Sequence, residues 1–352
     1  MSEAYQIKHP IVKHYAGSIA YGTNLPTSDV DIRGIFCAEE HNIRTPFYPV
    51  YEIDIPNEED GKLYELSNFL GLYLKGNPNI LETLWVEESD IIENSDVYSH
   101  LRTFREELLS SNVAFRFSGY AFSQLEKIKS RNKWINNPQP KQPPMHKDYI
   151  KLIQNFTPRK ILPKDFNFDY LRGHSIVHYG SNIFGVLDGH EGGVSAITSG
   201  GDFNISAKQI KDCVVECSRP KYIIKYLYEE YKQDKERHHN YWEWKTNRNE
   251  VRSELESKYG YDTKNAMHLV RLLRMGEEAL TGQGIIVKRP DAKELLDVRN
   301  GLWDYNDLVK WAEDKDKYIK KTLLPNTKLR KKPNLKLAAK CLIDCQDMCW
   351  RY

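Results

Sequence analysis

Gly17-Ser18 is followed, after ten residues, by Asp29-Val30-Asp31. Two carboxylates two positions apart on an extended strand project to the same face. So placed, they repel unless a cation lies between them, and hard oxygen donors favour Mg²⁺ or Mn²⁺. Gly17 lets the backbone approach a phosphate, Ser18 adds a hydroxyl, and a helix starting there offers N–H groups to an anion. These residue types suit a bound nucleoside triphosphate with its metal ions, Asp29 and Asp31 being the metal ligands.

Transfer of a phosphoryl or nucleotidyl group needs the triphosphate gripped, its charge neutralised and two oxygens held in line. A third carboxylate from a neighbouring strand would complete such a site. Glu65, in Lys62-Leu-Tyr-Glu-Leu66, is the candidate; Asp60 and Asp54 compete, and Glu65 reads equally well as a surface strand residue. Lys264, His268 and Arg271 interrupt an otherwise apolar helix at i, i+4 and i+7, so they stack on one face. A buried cationic strip needs an anion. Phosphates would serve, and so would Asp262 or Glu278, although Asp262 is better placed to cap the helix. Arg33 shares the face of Asp31 and would reach phosphates or a carboxylate. Tyr21 would pack on a base or in the core. Glu82, among Leu81, Leu84 and Trp85, reads as structural.

The elements that hold these residues follow from periodicity and punctuation. Strands are expected at 11–15, 29–37 and 62–66, and a helix or turn at 17–22. Helices are expected at 68–75, at 79–86 behind the Asn77-Pro78 cap, and at 101–109. A helix over 115–131 precedes four prolines between 138 and 144, which no helix or central strand accepts. Short apolar runs among glycines over ~160 to ~205 read as a β-rich insertion. Residues ~206 to ~250 read as helical and aromatic, and 255 onward as mostly helical. The fold class is α/β (α+β): a mixed β-sheet with flanking helices, a β-rich insertion and a helical C-terminal part. The expected division is 1–115 catalytic core, 116–250 helix plus insertion for acceptor recognition, and 251–352 closing the nucleotide cleft.

Composition narrows the class. The 352 residues are 40% hydrophobic and 28% charged, as in a folded globular chain. No apolar run approaches a membrane span, and the N-terminus lacks the pattern of a secretory signal, so a cytoplasmic location is expected. Net charge is +2, which does not mark a general nucleic-acid binder. Two local clusters, Lys127–Lys133 with four cations and Lys328–Lys336 with five, are solvated faces or phosphate contacts. Cys341, Cys345 and Cys349 fall at helical spacing and should line a buried face. Cys37, Cys213 and Cys217 complete the six, and no Cys-x-x-Cys pair occurs. His174, His178 and His190 lie in the insertion without an evident fourth metal ligand.

Gly-Ser-x10-Asp-x-Asp resembles the signature of the DNA polymerase β nucleotidyltransferase superfamily. The longer run, Ala16-Gly-Ser-Ile-Ala-Tyr-Gly-Thr23 with Ser28-Asp-Val-Asp-Ile-Arg-Gly-Ile35, is similar to a bacterial and phage branch, some of it associated with RNA ligases. Lys75-Gly-Asn-Pro-Asn-Ile-Leu-Glu82 and Tyr261–Arg274 extend the likeness. The resemblance implies transfer of a nucleoside monophosphate from a nucleoside triphosphate to an acceptor, with Mg²⁺ or Mn²⁺ and release of pyrophosphate. It carries over Gly17, Ser18, Asp29 and Asp31, and Glu65 less directly, since many relatives use Asp there. The acceptor, whether RNA end, protein or small molecule, stays open. A non-enzymatic nucleotide-binding regulator and an RNA-end processing factor are the alternatives.

Overall fold

Strand β1 (His9–Tyr15) runs into a one-and-a-half-turn helix, α1 (Gly17–Tyr21), and the chain returns as β2 (Ile32–Cys37). Helix α2 (Glu40–Arg44) and strands β3 (Glu52–Asp54) and β4 (Gly61–Glu65) follow, then helices α3 (Leu66–Leu74) and α4 (Pro78–Leu81). Strand β5 (Ile91–Asn94) precedes helices α5 (Asp96–Thr103) and α6 (Asn112–Asn136). Next come β6 (Ile150–Asn155), β7 (His174–Gly180), β8 (Ile183–Asp188), β9 (Val194–Ser195), β10 (Tyr222–Tyr226) and α7 (Tyr228–Thr246). The C-terminal helices are α8 (Glu250–Tyr259), α9 (Thr263–Leu280), α10 (Ala292–Arg299), α11 (Tyr305–Tyr318), α12 (Leu324–Asn326) and α13 (Leu335–Trp350). The computed structural model describes residues 9–55, 61–158, 161–188, 193–207, 219–247 and 250–351. Asp60, Cys213, Cys217 and His190 therefore lie outside the described residues.

The chain divides into two units, Met1–Asn136 with Glu250–Tyr352, and Asn137–Asn249. The boundary falls in the proline-rich break, not at residue 115. The reason is α6. Its Val113, Phe117, Leu125 and Ile128 are buried in the same core as Leu269, Leu273 and Leu280 of α9. At Gly276 of α9 a Cβ would meet Phe117 Cβ at 3.0 Å, so glycine lets the two helices close on each other. The C-terminal residues share that core instead of forming a third body.

The sheet of the first unit has the order β3-β4-β2-β1-β5. β1 pairs antiparallel with β2, setting His14 opposite Arg33 and Tyr15 opposite Ile32. β4 pairs parallel with β2, from Ile32 opposite Gly61 to Phe36 opposite Glu65. Val12, Ile35 and Cys37 join the large helical core, while Phe36 and Leu63 meet Ile43, Val50 and Ile53 in a smaller one. Cys341, Cys345 and Cys349 line the buried face of α13, as their spacing predicts, and the Cys37 thiol lies against Cys349.

The second unit carries an all-antiparallel sheet, β6-β10-β8-β7-β9. Leu152, Ile176, Phe184, Val186, Tyr222 and Ile224 fill its core. β10 falls in a stretch expected to be helical; Tyr222-Ile-Ile-Lys-Tyr226 alternates buried and less buried residues as a half-covered strand does. His178 stacks on Phe184 and His174 meets the edge of Tyr222, so both act as aromatic packing.

Candidate active site

Gly17 opens α1 with φ +57°, a left-handed conformation that favours glycine. A Cβ there would lie on the Asp31 carboxylate, 2.9 Å from its Cγ. The amide of Ala16 donates to the carbonyl of Asp31 at 2.8 Å, closing the loop that separates the two halves of the motif. The structure thus brings Gly17 and Asp31 into contact, with Ser18 on the same turn. Asp29 and Asp31 lie on the segment leading into β2 and not within it, because β2 starts at Ile32. Asp29 is exposed and Asp31 half-buried.

Arg33, the first cation of β2, stands between His14 of β1 and Lys62 of β4 in the register. Its Nη1 donates to the Ile32 carbonyl at 2.9 Å. Burial pushes the Tyr64 hydroxyl above its ordinary pKa, the Arg33 charge opposes that rise, and Tyr120 of α6 adds to it. Tyr64 and Tyr120 were not singled out from sequence; an aromatic beside a strand cation was the available signal. His14 is buried, with Nε2 3.1 Å from Thr83 Oγ1 and Nδ1 2.8 Å from the Tyr15 carbonyl. Burial lowers its pKa from 6.5 to about 4.

Glu65 is not brought to this place. It pairs with Phe36, at the far end of the parallel ladder from Ile32. Four steps of about 3.3 Å set it ~13 Å along the strand from the residue that follows Asp31. There it caps α3: Oε2 accepts from the amides of Ser67 at 2.7 Å and Asn68 at 3.2 Å, and from the Ser67 hydroxyl. Asp54, the competitor on β3, is exposed and lies 3.7 Å from Lys62. Asp60, the other competitor, lies outside the described residues.

The cationic strip on α9 grades from solvent to interior. Lys264 is exposed, His268 half-buried and Arg271 buried. Arg271 is a correction to the phosphate-binding set. Its Nη1 donates to Glu82 Oε1 at 2.7 Å, and its guanidinium lies 3.7 Å over the Tyr21 ring. Tyr21 donates to the other Glu82 oxygen at 2.7 Å. These three side chains, contributed by α1, the turn after α4, and α9, tie the glycine helix to the core. Neither expected carboxylate is the partner. Asp262 caps α9, accepting from the Asn265 amide at 3.0 Å, and pairs with Arg131, while Glu278 binds Arg289.

Lys288 is a further residue that sequence reasoning missed. Its Nζ lies 3.2 Å from both oxygens of Asp90 and donates to the Ile19 carbonyl at 3.2 Å, bracing the end of α1. The Arg289 amide donates to the Tyr21 carbonyl at 3.1 Å beside it. The apolar run ending in Val287-Lys288-Arg289 was the available signal. A separate cleft of about 400 Å³ is lined by Arg274, Glu278, Arg289, Asp291, Trp311 and Lys315. Each of its cations has a carboxylate partner.

With that geometry in place, comparison with known families adds one finding. Residues 6–151 match the RlaP family, an RNA repair pathway DNA polymerase beta family. The match agrees with the resemblance read from the motif. It takes in Gly17, Ser18, Asp29, Asp31, Arg33 and Glu65, covers less than half of the chain, and ends before Lys264, His268 and Arg271. It supports a nucleotidyltransferase of DNA polymerase beta type, with a nucleotide as substrate. No curated protein and no solved structure matches the chain. No helix among the described residues is long and apolar enough to cross a membrane.

Proposed function

We propose that this chain moves a nucleoside monophosphate from a nucleoside triphosphate to a hydroxyl or phosphate acceptor and releases pyrophosphate. The observation that carries this reading is the Asp31 carboxylate resting on a left-handed Gly17. That contact makes one small site of two sequence features that would otherwise be a turn and a strand.

The oxygen donors of Asp29 and Asp31 suit Mg²⁺ or Mn²⁺. Among the described residues no group of three or more acids, histidines or cysteines is placed to hold a metal ion, and phosphate oxygens and water would supply ligands beyond the two aspartates. A bound divalent ion would neutralise phosphate charge and stabilise the leaving pyrophosphate. Ser18 and Arg33 would contact phosphate oxygens, with Lys264 and His268 adding positive charge. Arg271, Glu82 and Tyr21 position α1 and do not touch the substrate. The acceptor oxygen attacks the α-phosphorus as its bond to pyrophosphate breaks. An RNA end is the acceptor we favour, on the description of the matched family. A cytoplasmic location accords with use of cellular triphosphates.

The test is product mass spectrometry after incubation with each of the four triphosphates, Mg²⁺ and single-stranded RNA. A gain of one nucleotide with matching pyrophosphate supports the reading. Nucleotide binding without pyrophosphate release, for any triphosphate and any acceptor in a cell extract, would favour the regulator instead.

A further inference from the structure

An antiparallel sheet that covers a core on one face normally turns polar residues to water on the other. The sheet of the second unit departs from that pattern. Opposite its core face it presents Ile223 and Ile183, with Ile153 49% exposed at the adjoining bulge. The hydroxyl end of Tyr179 lies against Gly185 of β8: a Cβ at Gly185 would fall 2.7 Å from the ring carbon Cε2. Glycine at that position is what allows this contact, with 36% of Tyr179 open to solvent. At the β7–β8 end of the same face Val177 and Leu187 are buried, so the open part lies toward β10 and β6.

The same sheet face carries two lysines on β10 and β6. Lys225 of β10 is directly opposite Lys151 of β6, and both are exposed. Like charges directly across a ladder are destabilising. Among the described residues neither has a carboxylate within ion-pair distance, whereas the neighbouring Lys221 is matched by Asp188 at 2.7 Å. A part-exposed aromatic ring, flanking aliphatics and paired unmatched cations are the parts of a stacking platform with a phosphate track.

We infer that this sheet face binds single-stranded RNA, a base stacking on Tyr179 and backbone phosphates meeting Lys151 and Lys225. The inference is independent of the transfer chemistry and rests on the proposed RNA acceptor only in choosing RNA over DNA.

Fluorescence anisotropy of the full chain with an unstructured RNA of about 12 nucleotides tests it. Tyr179→Ala should weaken binding ~10-fold and Tyr179→Phe should not, since the ring carries the stacking. Lys151→Gln with Lys225→Gln should reduce the slope of log K against log salt by about 1.4, two contacts at roughly 0.7 each. Should Tyr179→Ala fail to fold, the lysine pair, whose side chains are exposed, still decides. No RNA binding by the native protein, an unchanged affinity and salt slope in the lysine variant, or tighter binding of duplex RNA or of DNA of the same sequence would overturn it. Loss of pyrophosphate release with intact RNA binding would count against the proposed reaction alone.

Discussion

The two ends of the β2–β4 pair each hold an acid beside a helix start, and they treat it in opposite ways. At the head, Asp31 rests on the backbone of Gly17, and the residue before the helix is Ala16, which has no side-chain cap to offer. At the tail, Glu65 is itself the cap, with amides of Ser67 and Asn68 on its carboxylate. One oxygen of Glu65 is held by the start of α3, and the other is buried without a hydrogen bond among the described residues. Asp31, half-buried, is set against glycine on the segment that leads into β2, where we propose the cation binds. Residue type alone does not separate the two; the position in a parallel ladder does.

The largest expected effect lies at the head. Asp31→Asn should lower nucleotidyl transfer by about 10³-fold or more, some 4 kcal/mol of transition-state stabilisation, with an unchanged melting temperature. Steady-state pyrophosphate release measures it, and a merely threefold loss would remove the distinction between the two ends. Next is the brace behind the head. Arg271→Ala leaves Glu82 buried without its cation and should cost about 3–5 kcal/mol in denaturant unfolding. A loss of nucleotide affinity with full stability would instead return Arg271 to the phosphate site.

The pH dependence of stability is the third. His14 binds its proton less readily folded, at about 4, than unfolded, at 6.5. The unfolded chain therefore takes up more protons between these values. The contribution of His14 is fully present above pH 6.5 and is lost as pH falls toward 4, about 3 kcal/mol in all. Unfolding free energies measured across that window should fall less steeply in His14→Gln. The smallest effect belongs to the tail. Glu65→Ala should cost about 1–2 kcal/mol through loss of the α3 cap, and residual folded protein should retain the native rate of transfer per molecule.

What could be read from the chain follows the same division. The closeness of Gly17 to Asp31 was legible because the loop between them closes locally, through one backbone hydrogen bond and a short helix. The buried row of Cys341, Cys345 and Cys349 was legible for the same reason, helical period. Glu65 misled because a strand reading gives neither partner nor register, and the parallel ladder turns the head of β4, not its end, toward Asp31. The partner of Arg271 was hidden by separation: Glu82 is 189 residues away, and only the packing of α9 onto the first helices joins them. Strands β3, β5, β6 and β10 escaped notice because short runs such as Ile91-Ile-Glu-Asn94 carry little period of their own.

The central claim is that the head of this ladder, and not its tail, holds the divalent ion with the triphosphate. Electron paramagnetic resonance of Mn²⁺, titrated with the protein and a non-hydrolysable triphosphate, tests it directly. The account predicts that Asp31→Asn abolishes the bound Mn²⁺ signal while Glu65→Gln leaves it as in the native protein. Bound Mn²⁺ retained in Asp31→Asn and lost in Glu65→Gln would contradict it.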